Sequence, residues 1–168
     1  MGLFSSKPKA NFLEIIGIQI NTHLNSEIVK GSSKEGFTDY YLKIKDNFNL
    51  FSGVIIRIFG TELDLSGKST FNLLFIENEE EDSPISKMKE LINVISNEFG
   101  KDRRGKGKWS SEDENRITSF WEGREWILDK KGKTYKEFGS GMSQANLLFN
   151  IDSKSGVEFS ILQANNLL

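Results

Sequence analysis

Hydrophobic residues recur every three or four positions between residues 84 and 99, and lysines and asparagines fill the positions between them. This spacing is typical of an amphipathic helix. Ser83 suits the N-cap, Pro84 the first helical position, and Gly100 the left-handed position that follows the last turn. The pattern therefore predicts a helix over 84–99 whose apolar face packs on a sheet.

Runs rich in β-branched and aromatic residues predict strands elsewhere in the chain. Three such runs, separated by turn residues, cover residues 37–44, 53–59 and 70–76. Their short connections favour an antiparallel meander. Near the C-terminus, residues 147–151 and 157–161 alternate apolar and polar positions around a polar turn, which predicts a β-hairpin with one buried face.

Two segments are harder to interpret from their patterns. Residues 12–24 carry both a helical stripe and an alternation of Ile16, Ile18 and Ile20 with polar residues or glycine. The β-branched content favours a strand, and residues 30–36 then form a loop. Residues 111–122 are consistent either with a short helix, capped by Ser111 and Glu114, or with a hairpin that turns at Glu122-Gly123. The sequence leaves these two alternatives open.

Taken together, the elements predict a single α+β domain over residues 10–168, preceded by a flexible tail at residues 1–9. The domain is expected to contain a mainly antiparallel sheet, one principal amphipathic helix (84–99) packed on a face, and a C-terminal β-hairpin. Thirteen phenylalanines and three tryptophans provide enough apolar surface for a core.

Composition restricts the chemistry more than any motif does. The chain contains no cysteine and one histidine, His23, which removes thiol nucleophiles, disulfides and Cys/His zinc sites. No serine or acidic residue is spaced from His23 as a catalytic triad would need. We therefore expect no enzymatic activity, no cofactor and no metal site, although carboxylate chemistry needs neither cysteine nor histidine.

Two glycine-containing segments resemble nucleotide-binding motifs but depart from them. Gly67-Lys68-Ser69 matches the end of a P-loop, but Glu62 occupies the position of the first glycine, and a strand-like run follows. Gly139-Ser140-Gly141 would need glycine at Gln144 to match the dinucleotide fingerprint. Both segments are interpreted as turns.

The chain has a net charge of −2, so a functional charge has to be local. Residues 101–109 form a basic loop that ends in a tryptophan, and acidic residues flank it on the C-terminal side. Segregated charges steer protein partners, and Trp and Arg are typical hot-spot residues. The preferred function is therefore a non-enzymatic protein-interaction module, either an adaptor or an inhibitor-type protein. Its predicted partner-binding residues are Arg103, Arg104, Lys106, Lys108, Trp109, Trp121 and Arg124.

Two alternative functions remain open. The basic loop from Lys101 to Trp109 combines positive charge with an aromatic residue, which suits nucleic-acid binding. The many carboxylates suit a carboxylate-based hydrolase or a small-ligand binder.

The sequence gives weaker indications of where the protein acts. No apolar run is long enough to cross a bilayer, and the N-terminus does not resemble a signal peptide, so a cytoplasmic location is expected. Gly2 matches a permissive myristoylation pattern, but a flexible tail is the preferred interpretation of this segment. The oligomeric state is not predicted.

Overall fold

The computed structural model describes residues 11–18, 20, 27–119, 121–149 and 156–168. Within these residues, eight strands form one antiparallel sheet in the order β1-β2-β3-β4-β8-β7-β5-β6. The strands are β1 (Val29–Lys34), β2 (Phe37–Lys43), β3 (Phe51–Phe59), β4 (Phe71–Glu77), β5 (Arg124–Leu128), β6 (Thr134–Tyr135), β7 (Ser143–Phe149) and β8 (Val157–Leu162). The predicted meander and C-terminal hairpin are both confirmed, and β4 and β8 join them into one sheet.

The principal helix, α2 (Pro84–Phe99), has the predicted bounds. Its apolar face is buried in the core, and its C-cap glycine, Gly100, has a φ of 86°. Val94 is 36% exposed and lies at the edge of that face. Ser83 precedes the helix without a side-chain capping hydrogen bond. The buried residues of α2 are Met88, Leu91, Ile92, Ile95, Ser96 and Phe99.

The strand predicted for residues 12–24 is wrong at its start, because Phe12–Ile16 forms helix α1. The side chain of Asn11 accepts a hydrogen bond from the N–H of Leu13, and the Asn11 N–H donates to Glu14. Gly17 then ends the helix in the left-handed conformation. Capping at both ends therefore outweighs the alternation of isoleucines on which the strand prediction rested.

The loop predicted for residues 30–36 is wrong for residues 30–34, because Val29–Lys34 forms the edge strand β1 and only Glu35 and Gly36 lie in a turn. All six of its residues are exposed, and a bulge interrupts its pairing with β2 between Lys30 and Ser33. This strand is held mainly by backbone hydrogen bonds and has no buried side. Its sequence therefore lacks the alternation of apolar and polar residues that marks a strand, and it resembles a loop. Lysines and a bulge are common protective features of such an edge.

The alternatives for residues 111–122 are decided in favour of the helix, α3 (Ser111–Arg116). Its cap lies one residue earlier than predicted, since the N–H and hydroxyl of Ser110 both donate to Asp113. A short 3₁₀ helix, Ala164–Leu167, follows the last strand. The predicted tail, Gly2, His23 and residues 152–155 of the predicted hairpin turn lie outside the described residues.

Helix α2, the buried residues of α1 and the 3₁₀ helix belong to one core cluster with the inner sides of the strands. Phe12 links the layers, with its ring centroid 5.5 Å from that of Phe99 and 6.2 Å from that of Phe159. The opposite face of the sheet carries apolar side chains that are partly open to solvent, such as Tyr41, Ile76 and Leu148. Among the described residues, no helix combines the length and apolarity needed to span a bilayer.

Candidate functional site

The basic loop lies against one edge of β5. The N–H of Arg103 donates to the carbonyl of Glu125 over 2.8 Å, while β6 pairs with the following part of the same strand, at Ile127 and Leu128. The loop and β6 therefore share this edge, and a cavity of about 510 Å³ lies between them. We call this cavity the basic notch. It is lined by Lys101, Asp102, Arg103, Arg104, Gly105, Trp126, Ile127, Thr134, Tyr135 and Lys136.

Asp102 organises the loop from inside. Its carboxylate is buried and accepts hydrogen bonds from the N–H groups of Arg104 (3.0 Å) and Lys106 (2.8 Å). Its second oxygen accepts from the N–H of Glu125 (3.2 Å), which ties the turn to β5. Asp102, the only acidic residue of this loop, therefore fixes the backbone on which the five cationic side chains lie.

A buried ion pair holds the rest of the segment in place. Arg124 is 2% exposed, and its guanidinium donates to Asp113 over 2.7 Å. The indole N–H of Trp121 donates to the other oxygen of Asp113. Burial alone would raise the pKa of Asp113, but hydrogen bonds from Arg124, Trp121 and Ser110 outweigh burial and hold the pKa well below its ordinary value. Asp113 is therefore a buried anion that anchors α3 to β5.

The cations around the basic notch differ in how far they are neutralised. Arg103 pairs with Glu125 at 2.9 Å, and Arg104 approaches the same carboxylate at 3.9 Å. Both arginine side chains are nearly half exposed, and a guanidinium has five N–H donors, so each retains donors for another group. Among the described residues, neither Lys101 nor Lys136 forms an ion pair. The notch therefore has a local excess of positive charge.

The structure separates the seven predicted partner-binding residues into two groups. Arg103, Arg104 and Lys108 are exposed, and Lys106 is half-buried and pairs with Glu122 at 2.9 Å. The other three belong to the fold. Arg124 and Trp121 are buried, and Trp109 is half-buried with its ring centroid 5.5 Å from that of Trp121. The interior positions of Trp121 and Arg124 leave the two side chains almost no surface to offer a partner.

The sequence reasoning did not include Lys136 and Tyr135, which form the other wall of the basic notch. They lie about 30 residues beyond the loop and reach it only because β6 pairs with β5. The available signal was the concentration of lysines at positions 130, 131, 133 and 136.

The two motif-like glycine segments form turns in the structure. Gly67 has a φ of 83° in the turn that precedes β4, and Gly141 has a φ of 74° in the turn before β7. A strand follows each segment, whereas phosphate-binding loops lead into a helix. In the acidic segment before α2, Glu81 accepts hydrogen bonds from Asn49 and from the N–H of Ser83, so it stabilises a local turn.

Over the described residues, no group of three or more Asp, Glu or His side chains is arranged to hold a metal ion. Comparison of the chain with protein-family models, with curated proteins and with solved structures returned no match.

Proposed function

We propose that this protein is a non-enzymatic interaction module that binds an acidic segment of a protein partner in the basic notch. The main support for this proposal is that two distant chain segments line one cavity of about 510 Å³. Residues 101–104 and Lys136 bring four cations to that cavity, in a chain whose net charge is −2. Such local segregation of charge favours encounter with an oppositely charged partner.

The donor set suits carboxylates. Arginine presents planar pairs of N–H groups that match the two oxygens of a carboxylate, and Arg103 already binds Glu125 in the rigid scaffold. Glu125 is 7% exposed and also accepts from Gln144, so the guanidinium of Arg103 is held in position before a partner arrives. Preorganisation of this kind lowers the entropy cost of binding.

Protein is favoured over nucleic acid as the partner because of the aromatic residues. Stacking of bases requires open ring faces, but Trp109 and Trp121 pack against each other, and Lys89 lies 5.3 Å from the Trp109 ring centroid. The remaining positive surface is local rather than broad, which is unlike most nucleic-acid binders.

A titration with a fluorescein-labelled oligoglutamate peptide tests this proposal by anisotropy. The wild type is compared with a variant that carries Lys101→Gln and Lys136→Gln, and with a matched control that carries Lys34→Gln and Lys43→Gln. The control lysines are exposed on β1 and β2, near the opposite edge of the sheet. Loss of two exposed ion pairs, at up to ~1 kcal/mol each, should weaken binding by about tenfold.

The control variant should bind like the wild type, and binding by both should weaken as salt is added. Equal affinities of the notch variant and the control would contradict the proposal. A single-stranded oligonucleotide of matched charge serves as a competitor. If it bound more tightly than the peptide, the nucleic-acid alternative would replace the proposal.

A further inference from the structure

The hydrogen-bonded ladder between β4 and β8 is short. These strands pair at only two positions, Leu73↔Ile161 and Leu74↔Ser160, although each is paired along most of its length with its other neighbour. Continuing the same register would bring Ile76 opposite Glu158, but the ladder has already ended there. On the core side of these unpaired ends lie the rings of Phe51, Phe75 and Phe159, with centroids between 4.7 and 5.7 Å apart.

A groove of about 400 Å³ lies along the unpaired parts of the two strands, and we call it the β4–β8 groove. Its apolar walls come from Leu74, Ile76 and Leu148 on the outer face of the sheet. Ile76 is 40% exposed and Leu148 is 42% exposed, so both present apolar surface to a ligand. The volume lies within the range of small-molecule sites, roughly 300–1,000 Å³.

Two carboxylates lie in the same groove, Glu77 at the end of β4 and Glu158 on β8. Hydrogen bonds from the backbone N–H groups of Val157 and Gly156 lower the pKa of the Glu77 carboxyl. Burial raises the pKa of Glu77 despite these donors, because the half-buried carboxylate is partly removed from water. In the part of the chain that the structure describes, neither carboxylate has a lysine or arginine partner.

We infer that the β4–β8 groove binds a small molecule that combines an apolar chain with a primary ammonium group. The apolar chain would lie along Leu74, Ile76 and Leu148, and the ammonium group would approach Glu77 and Glu158. The part of β4 that is not paired with β8 extends for about three residues beyond the last ladder pair, or ~10 Å at the rise of a β-strand. That length suits a short alkyl chain better than an extended peptide. The inference does not depend on the function of the basic notch.

The experiment is a titration of ¹⁵N-labelled protein with hexylammonium, monitored by amide chemical shifts. Hexanoate is the control ligand, since it has a chain of the same length and the opposite charge. Hexylammonium should shift the amides of residues 74–77 and 157–160 saturably, whereas hexanoate should leave them unchanged. Equal shifts with hexanoate, shifts centred elsewhere, or no saturable shifts would overturn the inference.

Variants separate the role of charge from that of the apolar walls. Glu77→Gln and Glu158→Gln should each weaken hexylammonium binding by about fivefold, as expected for loss of a partly exposed ion pair. Glu35→Gln, in the exposed turn between β1 and β2, is the matched control and should bind like the wild type. If Glu77→Gln does not fold, the affinity of Glu158→Gln for hexylammonium decides the result, because Glu158 is exposed and its replacement leaves the core intact. Unchanged affinity in the folded variants would also overturn the inference.

Discussion

Removal of the Asp113 charge should strongly destabilise the protein, because this carboxylate neutralises Arg124 in the interior. Their side chains are 4% and 1% exposed, respectively, and lie 2.7 Å apart. Asp113→Asn keeps the shape of the side chain but removes its charge, and it places an amide N–H₂ among donors from Ser110, Trp121 and Arg124. Breaking a buried ion pair by removing one partner typically costs ~3–5 kcal/mol.

That loss is a large fraction of the ~5–15 kcal/mol by which domains are usually stable. Urea unfolding followed by tryptophan fluorescence measures it, since Trp121 contacts Asp113 directly. The matched control is Glu112→Gln, in the same helix, which removes an exposed pair with Arg116 at 3.3 Å. The control should lose no more than ~0.5 kcal/mol. A loss below about 1 kcal/mol for Asp113→Asn would refute the reasoning, because a buried charge would then be tolerated without its partner.

A double variant distinguishes the ion pair from local packing. Replacing both charges, with Asp113→Leu and Arg124→Met, leaves no isolated charge in the interior, and such replacements are often close to neutral. The double variant should therefore be more stable than Asp113→Asn. If the losses of unfolding free energy in Asp113→Leu alone and Arg124→Met alone added up to the loss in the double variant, the two side chains would not act as a pair.

Three further predictions follow from particular residues. The pKa of Asp113 is lower in the folded than in the unfolded protein, so its contribution to stability is complete above the ordinary carboxyl pKa of ~4 and is lost as the pH falls further. The unfolding free energy of Asp113→Asn, measured in urea, should therefore depend less on pH in this range than that of the wild type. Gly123→Ala should lower the unfolding free energy by more than ~2 kcal/mol, because φ is 76° and the new Cβ would lie 2.4 Å from the Leu147 carbonyl oxygen. Gly36→Ala, with a φ of 85° and open space around it, should cost only ~1 kcal/mol, and equal losses by calorimetry would contradict the steric argument. Asp102→Ala should lower the unfolding free energy by ~2–3 kcal/mol and weaken oligoglutamate binding, because three backbone N–H groups lose a charged acceptor. An unchanged affinity in the anisotropy titration would show that Asp102 does not shape the basic notch.

The parts of the fold that the sequence predicts well are those where several local signals agree. In α2, the apolar period, Pro84 and Gly100 all indicate the same bounds, and those bounds are found. In α1, the isoleucine alternation and the Asn11 cap point to different structures, and the cap decides the outcome. β1 is held by pairing with β2 and has no buried side, so no hydropathy signal identifies it.

The candidate site is only partly accessible to sequence reasoning, for a physical reason. Residues 101–108 are visible as a concentration of charge, but which cations share a cavity depends on the pairing of β6 with β5. Arginine is typical of binding hot spots, so the sequence predicts that Arg124 contacts a partner, but its side chain is buried and paired with Asp113. Charge type is a local property of the sequence, whereas exposure is decided by distant partners.

Chemical-shift mapping shows directly where an acidic segment binds on the protein. ¹⁵N-labelled wild type is titrated with the unlabelled oligoglutamate peptide, and amide shifts are mapped onto the sheet. We expect saturable shifts concentrated at residues 101–105 and 126–136, on either side of the basic notch. Shifts concentrated on the outer face around β4 and β8, or no saturable shifts at low salt, would contradict this expectation.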